Sequence, residues 1–476
     1  MPAVLAHRTA ATEPGSFRDP DSRVFITDDG VYRALSDRGR LDWEALRESA
    51  AWEELATAGK LIATEALEDA HAPSILADGC SLVLRHERIP FVSYPYEWPF
   101  GMLKDAALLQ LEVLERALAD GLMVKDSSPY NIQWRGATPV FADIGSFERL
   151  REGEPWIGYR QFCMLFLYPL MLQAYRGVAF HPLLRGSLEG IEPEAAAALL
   201  RGRDRLRRGV LTHVVLHARL DRRHAADAGR DVERRMRSAG FSTELVRANV
   251  RRLRKTVERL RWNPGPTAWS GYRDANTYSE EDAAAKARFV TEAGARRRPG
   301  LVWDLGCNDG TYARLAAAHA GSVIAVDRDH ASVERLYRAL RDADDDRVLP
   351  LVGDVCDPSP GLGWANAERG SLLRRGRPDL TLCLALVHHV AISGNVPVAE
   401  IATWLGGLGG GVVVEFPDRA DPMVQRLLAG KRDGAHPDYD TERFAASLAA
   451  RMRITRRERL PGGTRTLFEA WPEAER

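Results

Sequence analysis

Two acidic residues and a glycine turn are spaced so that they could hold a small polar ligand. The segment VWDLGCNDG places Asp304 near the end of an apolar run, followed by Gly306 and Gly310. Glycine lets a ligand approach the backbone closely, and the helix predicted after Gly310 offers free N–H groups. Asp327 lies 21 positions after Gly306, where a carboxylate can accept hydrogen bonds from ribose hydroxyls. The pattern predicts a site for a nucleoside-containing cofactor.

The charges around this turn favour a cationic ligand. Asp354 follows the next predicted strand and is expected at the same edge of the sheet, where ligands of open α/β folds bind. A pyrophosphate would be repelled by Asp304 and Asp309, whereas a sulfonium or ammonium group would be attracted. A dinucleotide-binding dehydrogenase is the alternative, but its fingerprint needs a glycine where this loop has Asn308. The residues therefore favour S-adenosylmethionine.

Candidate catalytic groups follow two later strands. The segment LALVHHV places His388 and His389 after the fourth predicted strand, and VVVEF places Glu415 in the fifth. Methyl transfer to a hydroxyl requires alignment of the acceptor and removal of its proton. A histidine or a carboxylate can accept that proton. The alternative is that the histidines only end the strand and shape the pocket.

Strands and helices alternate around these residues, which indicates parallel βαβ units. The continuous apolar strands favour a sheet that is covered on both faces. Helices are expected over 279–293, 311–320, 331–342, 396–405 and 441–451. Strands are expected over 301–305, 322–326, 348–352, 380–386 and 412–416, and 452–460 with 464–470 should form a hairpin that closes the sheet.

The segment 278–476 resembles the class I S-adenosylmethionine-dependent methyltransferases. The resemblance rests on Asp304 with the loop Gly306, Cys307, Asn308 and Gly310, and on Asp327. It implies an α/β Rossmann-like domain with a mostly parallel seven-stranded sheet. The acid and loop would lie near the methionine moiety, Asp327 near the ribose, and Asp354 with Val355 beside the adenine. Asn308 replaces the pattern's middle glycine, a mild departure because asparagine tolerates left-handed backbone angles. The lead-in WSGYRDANTYSEED is similar to that of the bacterial nodulation-type methyltransferases.

A second candidate site lies upstream. Asp126 is followed by Asn131 after five residues and by Asp143 in VFADIG. In phosphotransferases one aspartate positions the acceptor hydroxyl, while an asparagine and a second aspartate hold magnesium on the nucleotide. The region 21–262 resembles the α+β protein kinase-like fold, which implies Mg-ATP at Asn131 and Asp143, with Arg33 or Lys60 in place of the strand lysine. The alternative is a polar turn without ligand.

The predicted domain organisation follows from these sites and from the breakers between them. Residues 262–277 carry two prolines and two glycines. We expect a loose tail over 1–20, a kinase-like domain, active or inactive, over 21–200, a basic helical segment over 201–262, a linker over 263–277 and the methyltransferase domain over 278–476.

The basic segment 201–261 holds 19 Lys and Arg against 7 Asp and Glu, although the whole chain is neutral. Nucleic acid is one interpretation of this excess. Packing is favoured, because five apolar residues have helical spacing: Val246, Val250, Leu253, Val257 and Leu260.

Composition limits the remaining classes. The 476 residues are 45% hydrophobic and 28% charged, as in ordinary globular proteins. Five scattered cysteines have no metal-ligand spacing, no apolar run reaches membrane-spanning length, and a cytoplasmic protein without a membrane partner is expected. The leading hypothesis is a methyltransferase for a hydroxyl of a small molecule or glycan, without a metal of its own. A bifunctional kinase and methyltransferase, or an RNA methyltransferase using the basic segment, are the alternatives.

Overall fold

The computed structural model describes residues 11–67, 80–151, 153–226, 242–265 and 279–473. The chain divides into two compact units, and the main division falls between Asn263 and Pro264. The second unit also takes Arg135–Thr138, and the first also takes Gly361–Arg369. Most of the predicted linker, from 266 to 277, and most of the WSGYRDANTYSEED lead-in lie outside the described residues.

The first unit begins with an antiparallel sheet of five strands in the order β1-β2-β3-β5-β4. Its strands are Ala11–Thr12, Ser22–Ile26, Val31–Leu35, Thr64–Leu67 and Leu82–His86, numbered β1 to β5 in chain order. The tail expected over 1–20 is structured from residue 11, because β1 pairs with Ile26 and Phe25 of β2. A 3₁₀-helix over Pro14–Arg18 then leads into β2.

The rest of the first unit is mainly helical, with two short strand pairs. The antiparallel pairs are β6 (Leu122–Val124) with β9 (Phe147–Arg149), and β7 (Ile132–Arg135) with β8 (Thr138–Phe141). The longest apolar run, residues 162–174, is helical and largely buried, and it contains a π-helical stretch over Cys163–Leu167. The main helical segments are Asp37–Arg47, Ala50–Thr57, Phe100–Ala119, Tyr159–Phe162, Tyr168–Arg176, His181–Gly186, Pro193–Leu199, Val210–Leu216 (π-helical), His217–Ala226 and Thr243–Arg259.

The helix Thr243–Arg259 accounts for the apolar stripe of the basic segment. Its stripe residues are all buried: Val246, Val250, Leu253, Val257 and Leu260. This helix packs against Phe100–Ala119, and Lys104 Nζ donates to the carbonyl oxygens of Glu258 and Leu260 at 3.0 Å each. The prediction that packing explains the stripe is confirmed.

The second unit is built on a seven-stranded mixed sheet with the order β12-β11-β10-β13-β14-β16-β15. Its strands are Leu301–Leu305, Ser322–Asp327, Val348–Val352, Leu380–Cys383, Gly411–Pro417, Arg453–Arg459 and Arg465–Trp471, numbered β10 to β16 in chain order. The five strands from β12 to β14 run parallel, and β16 is antiparallel to both of its neighbours. The mostly parallel sheet and its closing hairpin, both predicted, are therefore confirmed.

The helices of this unit lie between the strands, as the alternating pattern predicted. They cover Glu280–Arg297, Thr311–Ala317, His330–Asp342, Val398–Gly407, Pro422–Leu428 and Thr441–Ala449. One strand prediction was too long: β13 ends at Cys383 rather than 386. The reason is Ala385, whose φ of 50° takes the chain out of the extended conformation.

Membrane-spanning character is absent from the described helices. None of them combines the length and the apolar composition that crossing a bilayer requires.

Candidate active site

The loop after β10 adopts a left-handed turn at three positions. Gly306, Asn308 and Gly310 have φ values of 77°, 48° and 75°. The N–H groups of Gly306 and Cys307 both donate to the Val326 carbonyl, at 2.8 and 3.1 Å, which fixes the loop on the end of β11. Asn308 takes the left-handed conformation that was expected of it.

Gly310 is favoured by its positive φ and lies close to a neighbouring helix. A Cβ at this position would lie 2.4 Å from Leu336 Cδ1, on the helix His330–Asp342. A larger residue would therefore require the Leu336 side chain to shift. The glycine holds the start of helix Thr311–Ala317 close to the sheet, with its N–H groups at the loop.

Asp304 is buried in β10 with one oxygen unsatisfied. Its Oδ2 makes no hydrogen bond within the described ranges, although a buried carboxylate oxygen without a partner is costly. Burial raises the pKa of Asp304 to about 7, and nearby Lys286 opposes that rise. An unsatisfied, buried carboxylate oxygen of this kind suits a cationic donor group from a ligand.

Asp327 is held rigidly at the end of β11. Its Oδ2 accepts from the Asn308 N–H and its Oδ1 from the Asp329 N–H, each at 2.8 Å. Burial raises the pKa of this carboxyl, and the two N–H groups oppose the rise. Each oxygen keeps a second lone pair, so the carboxylate can still accept from a pair of hydroxyls.

Asp354 and Val355 follow β12 at the same edge of the sheet. Asp354 Oδ1 accepts from the Cys356 N–H at 2.8 Å, and its Oδ2 lies 3.8 Å from Arg328 Nη1. Because β10, β11 and β12 are parallel neighbours, the acids Asp304, Asp327 and Asp354 lie at one edge. The structure thus brings together the three acids that the sequence assigned to one crevice.

His388 and His389 form a short helical turn after β13, with their ring centroids 4.1 Å apart. His388 is fully enclosed, and neither of its ring nitrogens has a hydrogen-bond partner in the part of the chain that the structure describes. Burial lowers the pKa of His388, and lowers that of His389 to about 4. Both rings are therefore neutral near pH 7, the form that can accept a proton.

Glu415 is engaged in a buried ion cluster, which favours a structural role for this third candidate. Its Oε2 lies 2.6 Å from Lys286 Nζ and its Oε1 lies 3.0 Å from Arg465 Nη1. Arg465 also pairs with Asp421 through Nε and Nη2, at 2.6 and 3.2 Å. Burial lowers the pKa of Lys286, whereas Glu415 raises it.

The sequence did not indicate Lys286, Arg465 or Asp421. A weak signal exists for Lys286, because it lies on the apolar face of helix Glu280–Arg297 with Ala285, Phe289 and Ala293, where a lysine is unusual. Arg465 becomes a partner of Glu415 only through the β14–β16 register, which places it opposite Pro417. Of these three residues, Lys286 is the one whose charge acts on Asp304.

Comparison with known proteins places the chain in a family. The nodulation protein NoeA of Rhizobium meliloti (strain 1021) is 32% identical over 458 residues, which cover 95% of this chain and 94% of NoeA. The chain belongs to the NoeA family. No family model matches it.

Two solved structures with similarity to this NoeA family member each cover less than half of it. The N-methyltransferase NodS from Bradyrhizobium japonicum WM9, in complex with S-adenosyl-L-homocysteine, is 11% identical with a TM-score of 0.31, over 44% of this chain and 94% of NodS. Magnesium protoporphyrin IX methyltransferase from Synechocystis PCC 6803 is 16% identical with a TM-score of 0.30, over 44% of this chain and 90% of that enzyme.

The NoeA family member also brings its upstream polar residues together. Asn131 Nδ2 donates to the Asp126 carbonyl at 3.0 Å and to Ser146 Oγ at 3.2 Å. Ser146 Oγ in turn donates to Asp143. Burial, with a smaller contribution from Asp143, raises the pKa of Asp126 to about 6. These residues form one polar cluster.

The two basic residues expected near this cluster, Arg33 and Lys60, have different partners in the structure. Arg33 lies on β3, and its Nη1 is 2.9 Å from Asp143 Oδ1. Lys60 pairs with Glu112 on helix Phe100–Ala119. Arg33 therefore neutralises the carboxylate that a magnesium ion would use. Groups of three or more acids, histidines or cysteines with metal-binding geometry are absent among the described residues.

Proposed function

We propose that this NoeA family member is an S-adenosylmethionine-dependent methyltransferase whose acceptor is a hydroxyl of a small molecule or glycan. The observation that carries the proposal is the unsatisfied oxygen of buried Asp304 beside a left-handed Gly306–Asn308–Gly310 turn. This arrangement needs a ligand that supplies a cation at the end of β10 and a polar group near the loop. S-Adenosylmethionine carries an ammonium, a sulfonium and a carboxylate, so its methionine end fits.

The residues that would hold the cofactor follow from the same geometry. Asp304 would accept from the ammonium, and Asp327 would accept from the ribose hydroxyls. Asp354 and Val355 would lie beside the adenine. When bound, the cofactor supplies a methyl group already activated by its sulfonium. The protein then has to orient the acceptor and take its proton.

We assign the removal of that proton to His388. Both of its ring nitrogens lack a partner within the described chain, and its lowered pKa keeps the ring neutral. A neutral imidazole accepts a hydrogen bond from a hydroxyl, holds that hydroxyl in position and receives its proton during transfer. His389, whose ring centroid lies 4.1 Å from that of His388, is the second candidate.

We expect the His388→Ala variant to lose about 100-fold in kcat, because a positioned base contributes about that much to a proton transfer. The affinity for S-adenosylmethionine, measured by calorimetry, should be unchanged, because the substitution alters only the acceptor side of the site. Single-turnover rates that stay at the wild-type level in both His388→Ala and His389→Ala would contradict a basic role for this pair.

Cofactor affinity should depend on pH through Asp304. With its pKa near 7 in the free protein, the carboxyl must lose a proton before it can bind a cation. Affinity should rise by up to about tenfold per pH unit below pH 7 and level off by about pH 8. The stability of the ligand-free protein should show the opposite trend. Because the pKa of Asp304 is about 7 in the folded state and about 4 in the unfolded state, its contribution to the free energy of unfolding falls as the pH rises from about 4 to about 7.

Calorimetric titrations at several values between pH 6 and 8 measure this dependence. The Asp304→Asn variant should bind weakly and without pH dependence in this range. A flat wild-type profile would show that Asp304 is ionised before binding.

The acceptor can be identified by supplying methyl-labelled S-adenosylmethionine to the purified protein together with fractionated metabolite and glycan extracts. Mass spectrometry of the products should show the label on one compound and an equal amount of S-adenosylhomocysteine. Calorimetry without any cofactor heat would refute the proposal at its first step.

A second candidate function is magnesium-nucleotide binding in the first unit, favoured by the cluster of Asp126, Asn131 and Asp143. ATP with magnesium should raise the unfolding temperature of the first unit by several degrees if the site is competent. The Asn131→Ala variant should lose that shift, and Lys255→Ala, an exposed change on helix Thr243–Arg259, should keep it. The absence of any shift in the wild type would refute nucleotide binding at this cluster.

A further inference from the structure

An exposed apolar face runs along the helical segment that begins at Val210 in the first unit. Leu211, Leu216 and Leu220 have 53%, 43% and 51% of their surface exposed. Their spacing is five and then four residues. Because Val210–Leu216 is π-helical and His217–Ala226 is α-helical, these two spacings each correspond to about one turn. The three leucines therefore share one face.

The opposite face of the same segment fixes it to the unit. Val210, Val214 and Ala218 are buried, so the segment cannot rotate to hide its leucines. A fourth leucine, Leu206, precedes it in the 3₁₀-helix Gly202–Leu206 and is 89% exposed, the highest value among the exposed large apolar residues of the described chain.

Arginines surround these leucines. Residues 201–222 contain seven Arg and two Asp, and every one of the seven is exposed: Arg201, Arg203, Arg205, Arg207, Arg208, Arg219 and Arg222. Asp204 pairs with Arg176 at 2.5 Å and with Arg207 at 3.3 Å, and Asp221 pairs with Arg160 at 3.1 Å. Arg222 lies 3.3 Å from Glu194. The surface is therefore apolar and carries an excess of positive charge. We call it the Leu/Arg surface, defined by Leu206, Leu211, Leu216, Leu220 and the seven arginines.

We propose that the Leu/Arg surface binds the surface of an anionic lipid bilayer without crossing it. Leucines on one helix face enter the boundary between headgroups and acyl chains, while arginines contact the phosphates. Exposed apolar residues scattered singly need no explanation, but four of them within fifteen residues and among seven arginines do. Nucleic acid would use the arginines and gain nothing from the leucines.

The basic segment 201–261 therefore carries two different sets of apolar residues. The stripe of helix Thr243–Arg259 is buried and is explained by packing. The leucines of the Leu/Arg surface are exposed, so packing within the unit does not explain them.

Flotation of the full-length protein with vesicles tests the proposal. The protein should float with equimolar phosphatidylcholine and phosphatidylglycerol vesicles and remain behind with phosphatidylcholine alone. The triple variant Leu211→Gln, Leu216→Gln, Leu220→Gln should reduce the bound fraction by about tenfold or more, because each leucine contributes apolar burial. The variant Arg203→Gln, Arg205→Gln, Arg208→Gln should reduce it similarly and remove its salt dependence.

The matched control is Leu41→Gln with Leu245→Gln, two leucines that are 63% and 60% exposed elsewhere in the first unit. This control should bind like the wild type, and circular dichroism should show all variants folded. Two outcomes would overturn the proposal. One is wild-type flotation by the leucine variant. The other is a protein that ignores anionic vesicles but binds an RNA oligonucleotide with the leucine variant unaffected.

Discussion

The Asp327→Ala variant should bind S-adenosylmethionine about 100-fold more weakly than the wild type, a loss of about 3 kcal/mol. Two effects combine. The variant loses the carboxylate that would accept from the ribose, and it also frees the N–H groups of Asn308 and Asp329 that this carboxylate now fixes at 2.8 Å. The loop would therefore lose order as well as a ligand contact. Isothermal calorimetry measures the change.

Asp379→Ala provides the matched control for this experiment. Asp379 Oδ2 also accepts from a backbone N–H, that of Leu301 at 2.9 Å, but it precedes β13 and lies at the opposite edge of the sheet. Its loss should affect stability and leave the dissociation constant unchanged. Equal weakening in both variants would mean that the effect of Asp327→Ala is a general loss of fold.

The Lys286→Met variant should destabilise the second unit by about 3–5 kcal/mol, the usual effect of leaving a buried charge without its partner. Glu415 would lose the pair with Lys286 and keep the pair with Arg465, which also pairs with Asp421. Asp304 would lose a nearby cation, so its pKa should rise further and cofactor binding at pH 7 should weaken. Hydrogen exchange in peptides from β14 and β16 reports the stability of this unit separately from the first.

A compensating variant separates charge from packing. Adding Glu415→Leu to Lys286→Met removes both charges, leaves the Arg465–Asp421 pair intact and should restore much of the lost stability. The control is Lys431→Met, a change at an exposed lysine of the same unit, which should alter the free energy of unfolding little. A Lys286→Met protein as stable as the wild type would show that the buried cluster contributes nothing to the fold.

The glycine loop and its acids could be predicted because their information is local. A strand, a left-handed turn and a helix start are encoded within Val302–Thr311, and each acid marks a strand end. The termination of β13 at Cys383 could not be predicted, because Ala385 has no residue-type preference for its left-handed conformation.

The buried ion cluster is non-local, and for that reason the sequence concealed it. Lys286, Glu415 and Arg465 are far apart in the chain and meet only through the register of β14 with β16 and the packing of helix Glu280–Arg297. Glu415 read alone looked like a candidate base. The unsatisfied state of His388 is likewise a property of its surroundings. The N-terminal kinase-like fold and the role of each site residue stay predictions.

The position of β16 has a consequence for how the site is made. This strand comes last in chain order, yet it lies between β14 and β15 in the sheet, so β15 joins the sheet only through β16. Arg465 lies on β16 and gives Glu415 its second partner, 50 residues away in the chain. The buried ion cluster is therefore complete only after the insertion of β16 beside β14, a pairing between non-local segments of the kind that forms slowly. S-Adenosylmethionine added during refolding should bind only after that insertion, and a chaperone that shields the edge of β14 should raise the yield of active protein.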